Sequence, residues 1–120
     1  MKKVLVDTNI FLDYYLLRSD GVIPIGEFAY KFIEEAINCR YFVLITPSVL
    51  YELMHKLELN EEQIFSKVFS GLNKKRKIEV VFSLREELTA AKEISKKENI
   101  PKSDCLLSLI SKRLGVPVVT

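Results

Sequence analysis

The sequence predicts an α/β fold, a three-layer α/β/α sandwich in which helices cover both faces of a mainly parallel central sheet. Short apolar runs without polar–apolar alternation are typical of strands that are buried on both faces. Helical patterns separate these runs, and such an order favours parallel strands joined by right-handed crossovers. The 120 residues, 1–120, are expected to form a single domain, because no linker or repeat divides them.

The predicted strands are short runs that are rich in valine and isoleucine. They are Val4–Val6, Phe42–Thr46, Ile78–Phe82 and Val116–Val119. Apolar residues at helical spacing fill the intervals between the strands. The predicted helices begin near Asn9, residue 27, Pro47, Asn60, Ser83 and Pro101.

Local signals set the ends of several predicted helices. Thr46 is a suitable cap before Pro47, which fits the first helical position. Asn60 with Gln63, and Ser83 with Glu86, have the spacing of capping boxes. Gly71 and the cluster Lys74–Lys77 are expected to end the fourth helix, and Gly115 the last one.

Composition excludes several classes of protein. The net charge of +2 is too small to indicate nucleic-acid binding by itself. No apolar run approaches the ~18 residues of a membrane span, and the N-terminus lacks the pattern of a signal peptide. Cys39 and Cys105 show no zinc-site spacing, and we expect reduced thiols in a cytoplasmic protein.

Asp7 directly follows the first predicted strand. Sites in open parallel sheets form outside the carboxyl ends of the strands, so Asp7 is a candidate metal ligand. The alternative is that Asp7 caps the first helix, which is worth about 1 kcal/mol. Position alone does not separate the two interpretations.

Glu52 and Asp104 are the other candidates. Glu52 lies early in the helix that leaves the second strand, and the alternative for it is a surface pair with Lys56. Asp104 lies in the first turn of the last helix, where the helix dipole also favours negative charge. The predicted connectivity brings both residues to the same edge of the sheet as Asp7.

Three carboxylates at one edge would repel each other unless a cation lay between them. Oxygen ligands without histidine or cysteine indicate Mg²⁺ or Mn²⁺. Such a site suits attack on a phosphodiester. A phosphatase that uses Asp7 as nucleophile is disfavoured, because Asn9 stands where a second aspartate is needed.

Three segments resemble the PIN-domain family of metal-dependent ribonucleases. They are "VLVDTNIFLDYYL", "LITPSVLYELMHKL" and "IPKSDCLLSLISKRLGVPVVT", and the match extends from residue 4 to residue 120, over essentially the whole chain. The resemblance implies that Asp7, Glu52 and Asp104 are catalytic metal ligands. It also implies supporting roles for Thr8, Asn9 and Thr120. Family members usually have a fourth acidic residue within a few positions of the matching threonine, whereas this sequence ends at Thr120, so we expect either a site with three carboxylates or a shortened chain.

The resemblance further implies an endoribonuclease that acts on RNA, with a VapC-like toxin as the expected setting. An antitoxin protein and a second copy of the chain, forming a homodimer, are then the expected partners. The alternatives are a catalytically weak or inactive PIN-like binding module, and an RNA-processing nuclease outside a toxin–antitoxin pair.

The apolar hairpin of residues 48–72 is either core or a partner surface. Lys74–Lys77 and Lys96–Lys97 are either solvated or phosphate contacts.

Overall fold

The sheet is parallel throughout and has the strand order β3-β2-β1-β4. The computed structural model describes residues 1–16, 25–38 and 40–120. Within these ranges the strands are Lys2–Val6 (β1), Tyr41–Ile45 (β2), Ile78–Val80 (β3) and Val118–Val119 (β4). The third and fourth strands are shorter than predicted, although the Val81 N–H still donates to the Ile45 carbonyl at 2.7 Å.

Helices fill the intervals between the strands, as the sequence predicts. They are Thr8–Leu16 (α1), Ile25–Ile37 (α2), Pro47–Leu57 (α3), Glu61–Gln63 (α4), Ser70–Lys74 (α5), Arg85–Glu98 (α6) and Lys102–Leu114 (α7). A π-helical turn, Ile64–Val68, follows α4 directly. No helix within the described ranges has both the length and the apolar character needed to cross a membrane.

Alternate residues of the central strands pack on opposite faces of the sheet. Val4 and Val6 join the larger core with α1, α2 and α3, and Leu5 joins a second core with Leu107 and Ile110 of α7. Helix α6 packs on the outer side of α7, where Cys105 is buried and free. The three-layer α/β/α prediction is confirmed, while Cys39 lies outside the described residues.

Two of the predicted helix caps are confirmed. Thr46 Oγ1 accepts a hydrogen bond from the Val49 N–H at 3.3 Å, and Pro47 occupies the first position of α3. Asn60 and Gln63 form a reciprocal capping box, with distances of 2.8 and 2.9 Å. These contacts satisfy amide groups that have no partner inside the helix.

The predicted capping box of Ser83 and Glu86 is wrong by one residue. Helix α6 begins at Arg85, and the Leu84 N–H donates to Glu87 Oε1 at 2.7 Å. Glu87 is buried, and its other oxygen accepts from Arg113 Nε of α7 at 2.9 Å. Arg113 also donates to the Phe82 carbonyl at 3.0 Å, so the pair joins α6, α7 and the loop after β3. Arg113 on α7 therefore selects which glutamate turns inward.

Glu87 is expected to make the stability of the fold sensitive to acid. The Arg113 hydrogen bond lowers the pKa of Glu87 from its ordinary value of 4.5, despite the opposing effect of burial. The stabilisation is therefore complete above the ordinary pKa and is lost as the pH falls through the lowered one. At pH 7, Glu87→Gln should lower the free energy of unfolding by about 2 kcal/mol, because a charged hydrogen bond is lost.

Urea denaturation of parent and variant at pH 7 and at pH 3 measures this effect. The difference between the two proteins should be largest at pH 7 and should shrink at pH 3. Glu86→Gln is the matched control, since Glu86 is exposed and makes no ion pair among the described residues. A difference that persists unchanged at pH 3 would contradict the assignment to Glu87 ionisation.

Gly71 does not end the helix in which it lies. The chain remains helical to Lys74, and a Cβ atom on Gly71 would lie 2.5 Å from Ile37 Cδ1. Glycine therefore lets α5 approach α2 closely rather than acting as a breaker. The predicted stop at the lysine cluster is confirmed, as is the stop of α7 at Gly115, which has a φ of 65°.

The hairpin of residues 48–72 contributes mainly to the core. The apolar residues of its second arm, Ile64, Val68, Phe69 and Leu72, are buried. The Phe69 ring packs edge-on against Phe11 at 4.8 Å and against Phe65 at 5.2 Å between centroids. Of the two interpretations of the hairpin, its buried positions therefore favour core.

Candidate functional site

Asp7 lies at the carboxyl end of β1, where the sheet gives way to α1. Its N–H donates to the Val119 carbonyl at 3.0 Å, which extends the pairing of β1 with β4. Its Oδ1 accepts from the Thr8 N–H at 2.7 Å. Thr8 is the first helical residue, whereas a regular cap bonds to the second or third N–H. The carboxylate is thus held at the start of α1 without making the usual cap.

Asp104 reaches the same edge of the sheet on the first turn of α7. The buried residues of that helix, Leu107 and Ile110, pack against Leu5 and Leu44 of the sheet. This packing fixes α7 beside β1 and β4, with its amino end at the carboxyl edge. The Asp104 side chain is exposed there.

Asp7 and Asp104 line one cleft of about 300 Å³. Its other lining residues are Leu107, Ser108, Ser111, Val118 and Thr120. The register that pairs Val6 with Val119 brings Thr120 alongside Asp7. The structure therefore brings together three of the residues that the sequence predicts for the site.

Glu52 does not line this cleft. Its Oε2 lies 3.8 Å from Lys56 Nζ, and both side chains are substantially exposed. This contact is the surface pair that the sequence allows as the alternative. Helix α3 does begin at the carboxyl edge, since Thr46 directly follows β2, the neighbour of β1. Within the described ranges, no three acidic, histidine or cysteine side chains are grouped so as to hold a metal ion.

Thr8 and Asn9 occupy the first turn of α1. Thr8 is 2% exposed, and its Oγ1 has no hydrogen-bond partner among the described residues. Leaving a buried hydroxyl unpaired costs about 1–3 kcal/mol. Asn9 is exposed. The hydroxyl beside Asp7 is therefore a polar group whose partner the described part of the chain does not supply.

The oxygen donors of the cleft fit a hard divalent cation. Two carboxylates and the hydroxyls of Ser108, Ser111 and Thr120 line it, with no histidine and no cysteine among the lining residues. Mg²⁺ is usually bound by one or two carboxylates together with water and substrate phosphates. Asp7 and Asp104 would therefore suffice to hold such an ion. The Ser111 hydroxyl also donates to the Val116 carbonyl, which fixes the turn between α7 and β4.

Ser108 and Ser111 are lining residues that the sequence prediction left out. They follow Asp104 by four and seven positions, a spacing that places them on one helical face. The signal was therefore present in the sequence. Their hydroxyls extend the polar wall of the cleft away from Asp104.

Comparison with known families agrees with this fold. The PIN domain model matches residues 4–120, which is nearly the whole chain. No curated protein matches the sequence. PIN domains are generally nucleases that use divalent metal ions. On the extent of this match, the chain belongs to the PIN domain family.

Proposed function

We propose that the chain is a metal-dependent endoribonuclease in which Asp7 and Asp104 hold Mg²⁺ or Mn²⁺. The observation that supports this most directly is that both carboxylates line one cleft at the carboxyl edge of a PIN-domain sheet. A divalent ion bound there would polarise the scissile phosphodiester and lower the pKa of an attacking water.

The residues of the chain have distinct roles in this proposal. Asp7 and Asp104 supply the negative charge that attracts the cation, and the Thr8 N–H fixes the Asp7 carboxylate. Ser108 and Thr120 provide hydroxyl donors for the oxygens of the RNA phosphate. Leu107 and Val118 supply the apolar part of the cleft lining.

Glu52 is proposed as a third ligand that turns toward the cleft when a cation is present. Its contact with Lys56 is an exposed pair, and such pairs on a helix contribute only about 0.3–0.5 kcal/mol. Attraction to a divalent cation exceeds that amount, so the Lys56 contact is a small obstacle.

A catalytically weak PIN-like module is the second candidate function. The position of Glu52 outside the cleft favours it, because two carboxylates bind a cation less tightly than three. Such a module would bind RNA without cleaving it at an appreciable rate. Cleavage measured in the presence of Mn²⁺ distinguishes it from the nuclease.

The biological setting that we propose is a VapC-like toxin in the cytoplasm, with an antitoxin and a second copy of the chain as partners. The support is the sequence resemblance, together with exposed aromatic side chains on α2. Phe28 is 61% exposed and Tyr30 is 48% exposed, and such side chains are enriched at interfaces. A gene for a small partner beside this one would favour the toxin over an RNA-processing nuclease.

Binding of Mg²⁺ or Mn²⁺ is expected to raise the melting temperature. At a free metal concentration ten times the Kd, the gain is about 1.4 kcal/mol. For a domain of this size, that gain corresponds to roughly 5 °C. Asp104→Asn should reduce the shift strongly, because it removes one of the two carboxylates in the cleft. Thermal melting monitored by circular dichroism measures the metal-induced shift in the parent and in the variant.

The role of Glu52 is tested by the same titration. Glu52→Gln should reduce the metal-induced shift if Glu52 is a ligand. Glu27→Gln is the matched control, since Glu27 also forms an exposed pair with a lysine four residues on, Lys31, at 3.5 Å. A parent protein that shows no shift in millimolar metal would contradict the proposed site.

A further inference from the structure

The amino ends of the strands carry a concentration of positive charge, which we call the amino-edge surface. Its members are Lys2, Lys3, Arg40, Lys74, Lys75, Arg76 and Lys77. The strand register aligns them: Lys3 pairs with Phe42, and the Lys77 carbonyl accepts from the Val43 N–H at 2.8 Å. Residues from three separate segments of the chain are thus brought to one edge of the sheet.

The described residues do not neutralise the charges of the amino-edge surface by ion pairing. Among the described residues, none of its members makes an ion pair. The Lys77 ammonium lies 3.0 Å from Met1 Sδ, and the Lys3 ammonium lies 5.8 Å from the centre of the Phe42 ring. Two acidic neighbours are Glu35, which lines a groove together with Lys2, and Glu79, which lines another groove together with Lys3. A surface this basic in a chain with a net charge of only +2 implies a separation of charge across the molecule.

Arg76 has a backbone conformation that disfavours its side chain. Its φ is 54°, in the left-handed region where glycine is favoured. It lies in the turn that ends α5, where the Lys77 N–H donates to the Leu72 carbonyl at 2.8 Å. Glycine would suit this turn better, so the arginine adds positive charge at the expense of backbone preference.

We propose that the amino-edge surface binds the phosphate backbone of the RNA, at the end of the sheet opposite the cleft. The inference rests on the proposed function, which makes single-stranded RNA the polyanion. The five residues of β1 separate the two edges by roughly 16 Å. RNA that reaches both would therefore lie along the side of the domain, with its affinity dominated by salt-dependent phosphate contacts.

Lys96 and Lys97 are the competing location for phosphate contacts. They lie in the last turn of α6, before the chain turns into α7 near Asp104, and so belong to the carboxyl edge. A helix C-terminus favours cations for electrostatic reasons of its own. Glu93 and Glu98 lie within three residues of the pair Lys96–Lys97, whereas a single acid, Glu79, lies within three residues of Lys74–Lys77.

Arg76→Gly is expected to weaken RNA binding without lowering the stability of the fold. In an Asp7→Asn background and metal-free buffer, the affinity for a fluorescent single-stranded RNA should fall about fivefold. The slope of log affinity against log salt should shrink by about 0.7, the loss of one phosphate contact. The melting temperature should stay the same or rise, because glycine relieves the left-handed strain. Fluorescence anisotropy and thermal melting measure the two effects.

Glu58→Gly is the matched control, because Glu58 ends α3 with the same φ of 54°. It should affect stability as Arg76→Gly does without weakening RNA binding. Replacing Lys74 and Lys75 by serine together with Arg76→Gly should shrink the salt slope by about 2.

These results show whether RNA binds at the amino edge or at the carboxyl edge of the sheet. Unchanged RNA binding in the triple variant would overturn the inference, as would a parent that binds no RNA. Weakening confined to a Lys96→Ser/Lys97→Ser variant would also overturn it, by placing the RNA at the carboxyl edge. If the parent cleaves no RNA in Mn²⁺ but the triple variant still loses affinity, the nuclease proposal fails while the amino-edge surface stands.

Discussion

Asp7→Asn is expected to lower the rate of metal-dependent RNA cleavage at least about 100-fold while leaving the fold intact. The asparagine Oδ1 can accept the same hydrogen bond from the Thr8 N–H, so the start of α1 keeps its contact. What is lost is the negative charge that attracts the cation in the cleft. Removal of a single electrostatic group from a reaction centre typically lowers the reaction rate by about this factor.

Cleavage of a labelled single-stranded RNA in Mn²⁺, with melting in metal-free buffer, tests this expectation. The variant should be no less stable than the parent without metal, because the repulsion between Asp7 and Asp104 is relieved. Glu27→Gln, on an exposed turn of α2, is the activity control. A variant that cleaves RNA as fast as the parent would contradict the role of Asp7.

Phe69→Ala is expected to lower the free energy of unfolding by about 3–5 kcal/mol. Phe69 is fully buried, and its ring makes edge contacts with both Phe11 and Phe65. Truncation leaves a cavity that the surrounding helices and sheet fill only in part. Because a domain of this kind is stable by about 5–15 kcal/mol, the variant loses a large share of its stability.

Urea denaturation measures the loss, with one slope of unfolding free energy against urea concentration used for parent and variant. Phe28→Ala is the control, because Phe28 is 61% exposed and its truncation should cost much less. The loss of stability in Phe69→Leu should lie between the losses in Phe69→Ala and Phe28→Ala, since leucine fills part of the space. Equal losses at positions 28 and 69 would show that Phe69 does not occupy the core as described.

The main features of the fold could be predicted from the sequence because its signals are local and agree with one another. Thr46–Pro47 and Asn60–Gln63 mark helix starts through contacts within four residues. The predictions for Ser83 and Gly71 failed because distant residues decided the outcome. Arg113 of α7 turns Glu87 inward, and Ile37 of α2 makes glycine suitable at position 71.

The candidate site shows the same division. Asp7 and Asp104 could be placed because a strand end and a first helical turn fix where each carboxylate lies. Glu52 could be placed only as far as the edge of the sheet, since spacing along a helix does not determine which neighbour a long side chain contacts. In the structure that neighbour is Lys56. The role of Glu52 as a ligand therefore stays a prediction.

One wall of the cleft is held to the sheet by the short pairing of β4. Strand β1 pairs with β2 over four residue pairs but with β4 over only two. Packing also holds β4, since Val119 packs against the larger core and Val118 against the second core. The wall that carries Val118 and Thr120 therefore keeps its position beside Asp7 through side-chain packing as well as through the few hydrogen bonds of the strand.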